Sequence, residues 1–430
     1  MSSTINQDIA SSISSARINK EKRFQIYGVA ALLFAMIMLV TLFITIFSKG
    51  LSAFIQTKVN LDIELTQEVI DPEGSRDLNV LKQANYQKLI DDSLKLYALN
   101  LFDKDEKELI KNLRMILSPI AYLELRNLVI DNQDFIGKTK KVSFIASDDI
   151  DQYFKGKIDM SIPEDDRKIT DIQEKFLDDL QSKGQINKVF NKTLFTKSDS
   201  REAELSGVLG AVIGSFYSLL IAGLLSIPIG IGAAIYLQEF AKKNRITDFI
   251  EININNLAAV PSIVFGLLGL AIFLNMFLMP RSAPLVGGMV LALMTLPKII
   301  IPARAAILAV PESIKQGALA LGASHMQSIM HHVLPLAMPA ILTGIIIGLA
   351  QALGETAPLL MIGMIAFIPD TPLYITDPAT ALPVQIFMWA DNPERAFVER
   401  TSAAIIILLF FLIAMNSIAI YLRQKFERKW

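Results

Sequence analysis

The chain has 430 residues, of which 52% are hydrophobic and only 19% charged, with a formal net charge of −1, three histidines and no cysteine. That apolar excess marks a membrane protein rather than a soluble globule. The balanced charge leaves no surplus of Lys and Arg for a phosphate backbone, which excludes a nucleic-acid partner, and the missing cysteines exclude disulfides, thiol catalysis and Cys-ligated metals together.

In chain order, the first element is an uncharged, mostly apolar run from Phe24 to Phe47. It is too long for a signal-peptide core and lacks a small-residue cleavage site, so residues 1–48 are expected to be a short cytoplasmic tail and an uncleaved first span. Residues 49–200 then read as a soluble insert, with 23 basic and 27 acidic residues. Within it, NYQKLIDDSLKLYALNLFDKDEKELIKNLRMIL repeats its apolar residues at three- and four-residue spacing and predicts helices, whereas KKVSFIAS and GKIDMSIP predict strands. Two acid clusters, Asp148, Asp149 and Asp151, and Glu164, Asp165 and Asp166, lack the ligand spacing of a calcium loop and read as solvated faces or turns. No catalytic constellation is visible in the insert.

Further uncharged runs of spanning length lie at about 205–237, 252–279, 284–303, 336–368 and 402–422, interrupted by one Lys and one Glu, which brings the expectation to six spans. The short connections and tails on the side of both termini hold 13 Lys and Arg against three on the other side, which places the termini in the cytoplasm. The insert is exempt from that rule by its length and falls outside.

Residues 311–335, PESIKQGALALGASHMQSIMHHVLP, lie between two spans. Pro311 suits the start of a helix and Glu312 its positive end. Gly317, Ala318, Ala320, Gly322 and Ala323 keep one part of the segment nearly free of side chain, open to close approach by another surface. Pro335, with Pro339 beyond it, is expected to end the helix and return the chain to the membrane. By spacing alone the segment is either an ordinary connection or a docking element. His331 and His332 are sequential and point to different helix faces, so with His325 they read as packing contacts rather than a metal or proton-relay site.

Charges at bilayer depth are costly and normally face a bundle interior or a water-filled path. Lys298 reads as a cation lining an anion path or as a snorkelling or interhelical pairing residue. Arg304 reads as path-lining or as an anchor at the cytoplasmic edge. The run 336–368 is 33 residues, about 50 Å as one helix against a hydrocarbon core of about 30 Å, so it must tilt, protrude or break. Pro358 cannot donate to the carbonyl of Gly354, which makes GETAP the natural break, with Glu355 and Thr356 turned toward a path or gate. The other reading of Glu355 is a structural ion pair between spans.

The segment at 311–335 resembles the cytoplasmic signature of ABC-transporter permeases, written E-A-A, three residues, Gly, nine residues, then Ile, any residue, Leu-Pro. Ala318, Gly322, Leu334 and Pro335 stand at matching positions, while Gln316, Gly317 and His332 replace the family's Glu, Ala and Ile. The strings FIEININNLAAVPSIVFGLLGLAIF, LPKIIIPARAAILAVPESI and QALGETAPLLMIGMIAFI, with the run from residue 198 onward, are similar to successive segments of phosphate permeases of the PstA type. The first span and insert resemble, more weakly, the N-terminal extension of one branch of that family.

The resemblance implies an all-α integral membrane protein with an ABC importer permease (MetI-like) core at 201–430 and a mixed α/β extracytoplasmic insert. It implies a bacterial inner-membrane subunit that forms half of a pore for inorganic phosphate. Its partners would be a PstB-type ATPase dimer, a PstC-type second permease and a PstS-type binding protein. The coupling contact with the ATPase would be made through Gln316, Gly317, Ala318, Gly322, Leu334 and Pro335. ATP-Mg would be used by the partner, since no G-x-x-x-x-G-K-[ST] loop occurs in this chain and no cofactor is expected on it. Relatives commonly carry an Arg four residues before the Glu of G-E-T. Here Gln351 stands in its place, so Lys298, Arg304 or the partner permease must supply the cation. A permease for molybdate or sulfate, a secondary transporter or channel, and a membrane-anchored sensor are the rival readings.

Overall fold

The computed structural model describes residues 2–99, 101–102 and 106–426. Helix α1 (Ser2–Gly50) contains the first apolar run, and its described side chains are almost all exposed, as a lipid-facing span requires.

The insert is a separate α/β body built on a three-stranded antiparallel sheet of order β2-β1-β3. Strand β1 (Ile55–Glu64) pairs with β2 (Thr139–Ile145), Leu61 opposite Val142, and with β3 (Ile186–Phe190), Thr57 opposite Lys188. Val59, Leu61 and Ile63 alternate along β1 and are fully buried with Phe144, Tyr86 and Phe176. Helices α2 (Tyr86–Ala98) and α3 (Glu106–Arg114) bear out the three- and four-residue spacing. KKVSFIAS does form β2, but GKIDMSIP forms no strand. Gly156 takes a φ of +70°, and Asp159 Oδ1 accepts from the Ser161 N–H (2.9 Å) and hydroxyl (2.7 Å), so local turn bonds replace ladder bonds.

One acidic residue also departs from expectation. Asp151, in α4 (Asp148–Phe154), is 4% exposed rather than solvated. It accepts from the Thr57 N–H at 2.8 Å and pairs with Lys155 at 2.6 Å. Lys155 in turn reaches Glu399 at 2.8 Å, which also receives Lys157 at 2.8 Å and Gln152 at 2.7 Å. Glu399 belongs to the last long helix, so this buried network clamps the insert onto the helical core. Glu164, Asp165 and Asp166 form an exposed single turn, as expected.

Among the described residues, five helices are long and apolar enough to cross a membrane, or six if one bent pair counts as a single span. Short α5 (Thr193–Thr196) leads from the sheet to α6 (Leu209–Ile235, continued by a wider turn to Phe240), the second span. The run expected at 252–279 is not one straight helix: α7 (Arg245–Ala258) and α8 (Ser262–Gly269, continued by a wider turn to Met276) meet at 103°. Pro261 starts the second piece; it has no N–H to offer the first and it disfavours helical backbone at Val260. Helix α9 (Pro284–Leu308) is the most buried span, packed on α6.

After α9, α10 (Glu312–Ala320) begins where Pro311 and Glu312 predict and stops before Gly322, whose φ of +89° suits glycine alone. Pro335 does not end a helix, contrary to expectation. A new helix capped by Ser324 and Gln327 starts at His325 and runs through Pro335 to Gly354; its last part is α11 (Leu334–Gly354). A π turn over Ile329–Val333 already interrupts the regular ladder there, so the proline's missing donor is absorbed. Then come α12 (Ala357–Met361), α13 (Leu382–Ala390) and the final span α14 (Arg395–Phe426).

Candidate functional site

Two helix breaks converge on one polar cavity of about 210 Å³. Leu257, Ala258, Val260, Ser262 and Phe265 contribute the bend between α7 and α8, Met294 and Lys298 come from α9, and Gln351 and Glu355 from the end of α11. Helix α11 closes at Gly354, Glu355 is extended (φ −76°, ψ 124°), and α12 restarts at Ala357 with Pro358 in its first turn. The two broken helices are held together where a side chain could not fit: a Cβ on Gly266 of α8 would lie 2.7 Å from Pro358 Cα. Backbone freed by such breaks is tolerated at depth only inside protein or beside water.

The polar groups of this cavity are sparsely paired. Gln351 Nε2 donates to Glu355 Oε1 at 3.5 Å, the outer limit of a hydrogen bond. Lys298 lines the same cavity, and no ion pair within 4.0 Å joins it to Glu355. A cation and a carboxylate facing one space without closing on each other leave room for a small polar ligand between them.

Of the residues singled out for a path, Lys298, Gln351 and Glu355 are thus brought together. Arg304 is not; it pairs with Glu251 of α7 at 2.7 Å and ties that helix to α9. Thr356 lies outside the cavity lining, its carbonyl accepting from the Leu360 N–H at 3.0 Å. Gly354 faces open space, and Pro358 is buried against α8. Val260, Ser262 and Phe265 were missed; Pro261, the one proline in the run 252–279, was their signal.

The segment after α9 presents a second surface. Gln316, Gly317 and Gly322 are exposed, and a Cβ on either glycine would meet nothing within 4 Å. Leu321 is 92% exposed and Met326 53%, so apolar surface surrounds this glycine-paved stretch. Ala318 is buried, and Leu334 and Pro335 sit half-buried inside the following helix. Lys315 Nζ reaches Glu239, at the end of the second span, at 2.6 Å, and that bond holds the Lys315 ammonium above its usual range. His325 Nε2 lies 3.1 Å from the Glu239 carbonyl, His331 Nδ1 3.1 Å from that of Gln327, and His332 is exposed. Glu239, unremarked in the sequence, therefore fastens the glycine-paved segment to α6. No cluster of metal-ligating side chains exists among the described residues.

The family described as binding-protein-dependent transport system inner membrane component matches residues 226–430, which hold the cavity and the glycine-paved segment. Residues 12–164 match a domain of unknown function, DUF3333. YqgI of Bacillus subtilis is 32% identical over 50% of this chain and 77% of its own length. The phosphate transport system permease protein PstA of Haemophilus influenzae is 30% identical over 55% of this chain and 81% of its own. Among solved structures, a chain of the MetNI methionine ABC transporter in an inward-facing form aligns at 17% identity over 52% of this chain and 95% of that one, with a TM-score of 0.41.

Proposed function

The chain belongs to the family of binding-protein-dependent transport permeases of the PstA type, and on that premise we propose that it forms half of an ATP-driven import path for inorganic phosphate in the bacterial inner membrane. The observation that carries the reading is the cavity at the two breaks, with Lys298 opposite Glu355 and Gln351. Lys298 attracts the anion and takes over the charge that relatives place at position 351. Glu355 supplies selection. Its carboxylate repels sulfate, which carries no proton near neutral pH, but accepts a hydrogen bond from the P–OH of hydrogen phosphate.

Counting the bent pair once supports a reading of six spans, and the excess of Lys and Arg in the connections supports cytoplasmic termini with the insert outside. In that orientation the glycine-paved surface faces a PstB-type ATPase dimer, which binds and hydrolyses ATP-Mg, while a PstS-type protein delivers phosphate and a PstC-type permease completes the pore. Closure of the ATPases pushes α10; the Lys315–Glu239 bond carries that push to α6, and the path beside Glu355 changes its opening.

The test is uptake of labelled phosphate into vesicles holding the assembled complex, with binding protein and ATP. Phosphate accumulates only with ATP, and neither sulfate nor molybdate competes. Equal competition by either oxyanion sinks the phosphate assignment. Accumulation by this chain alone, without nucleotide, sinks the ATP-driven reading.

A further inference from the structure

Where the insert joins the first span, three phenylalanines stack into a ladder that transport leaves unused. Phe54, in the single turn that follows α1, stacks on Phe195 of α5 with ring centroids 5.8 Å apart, and Phe195 stacks on Phe190 at the end of β3 at 5.7 Å. Phe190 is 59% exposed and Phe195 39%, and Leu51 and Ile55 beside them are exposed as well. Lys192 and Lys197 bracket α5 and are also exposed. A contiguous aromatic patch of this kind is unusual on a surface that meets only water.

The chain itself limits what can cover the patch. Gly50 packs against Ser402 and Ile406, where the last uncharged run begins, which sets the edge of the hydrocarbon near Gly50; Phe54, four residues on through a tighter turn, then stands about 6–8 Å beyond it. The headgroup layer on each side of a bilayer is about 5–7 Å thick. The ladder therefore stands at headgroup height, continuous with a span whose described side chains are almost all exposed. Exposed Phe and Leu bed at the headgroup–acyl boundary as the apolar face of an interfacial element does, and flanking lysines reach lipid phosphates from there.

We infer that the ladder of Phe54, Phe195 and Phe190 beds into the bilayer interface on the insert's side, with Lys192 and Lys197 against anionic headgroups. The insert then rests on the membrane, held by lipid along one edge and by the Glu399 network on another.

Because the chain has no cysteine, Phe190→Cys and Phe195→Cys each create a single site for a nitroxide label. The full chain is reconstituted in bilayers of phosphatidylethanolamine and phosphatidylglycerol. Relaxation of the label by oxygen, which concentrates in lipid, is then compared with relaxation by a water-soluble nickel chelate. Leu32→Cys, in the middle of α1, and Leu96→Cys, on an exposed helix of the insert, provide the lipid and water references. The ladder labels are expected to give an oxygen-to-nickel ratio clearly above that at Leu96 and below that at Leu32, as a site at the interface requires. A ratio equal to that at Leu96 overturns the inference, and so does shielding from both reagents, which would mean a protein contact. A water-exposed Leu32 label would remove the span and the ladder's bed together, an outcome separable from any failure of phosphate uptake.

Discussion

Two carboxylates at low-dielectric positions, Glu399 and Glu355, are treated in opposite ways. Glu399 is 3% exposed and takes three donors at 2.7–2.8 Å, two of them ammonium groups. Glu355 has one amide at 3.5 Å and a cation across a cavity. A fully satisfied buried charge fixes a single geometry, because moving any partner strands the others. A half-satisfied one fixes no such geometry and can still accept further donors. The first is a clamp between two bodies of the molecule, and the second faces an open cavity.

Breaking the clamp has the largest expected effect. Glu399→Ala removes the acceptor that Lys155, Lys157 and Gln152 share, leaving Lys155 with Asp151 alone, and costs about 3 kcal/mol, read as a fall in thermal unfolding temperature of the purified complex. An unchanged unfolding temperature would show that the joint is not what holds the insert.

Glu204, buried where the insert runs into α6, sharpens the same side of the comparison. Burial, aided by the nearby charges of Asp148 and Glu202, pushes its carboxyl from 4.5 up to about 7. Between those values the folded chain keeps a proton that the unfolded chain has lost. Its contribution is therefore whole below about pH 4.5 and falls as pH rises toward 7, by roughly 3 kcal/mol. Glu204→Gln should flatten that slope in unfolding measured from pH 4 to 8; an unaltered slope would assign it to other groups.

On the cavity side, Lys298→Met should cut phosphate uptake by tenfold or more, about 1.4 kcal/mol, while stability shifts by no more than about 0.5 kcal/mol. A large loss of stability with full uptake per folded molecule would make Lys298 a second clamp. The smallest effect is expected at Thr356, which stands beside Glu355 in sequence but outside the cavity. Thr356→Val should change uptake less than about twofold, within ordinary surface tolerance.

Much of this architecture was legible because hydropathy and proline act locally. The apolar runs locate the spans, and the combination of excess length and Pro358 locates the break at Glu355. The bend at Pro261 carried the same chemical signal, reinforced by Asn253, Asn255 and Asn256 in a run read as spanning. Strand β1 was not read from the sequence, although Val59, Leu61 and Ile63 alternate along it; β2 was, in KKVSFIAS. The clamp was not, since Asp151, Lys155 and Glu399 lie as much as 248 positions apart and nothing in their neighbourhoods announces burial.

The sequence by itself determined where this chain enters the membrane, where its helices cannot continue, and that a glycine-paved segment interrupts the spans. Only the tertiary structure decided which charge serves which purpose. Lys298 and Arg304 are six residues apart on one helix, a rotation of about 240°, so they face different neighbours. Those neighbours, the bend beside Glu355 for one and Glu251 for the other, come from distant parts of the chain. Their packing made one cation part of a cavity and the other part of a joint.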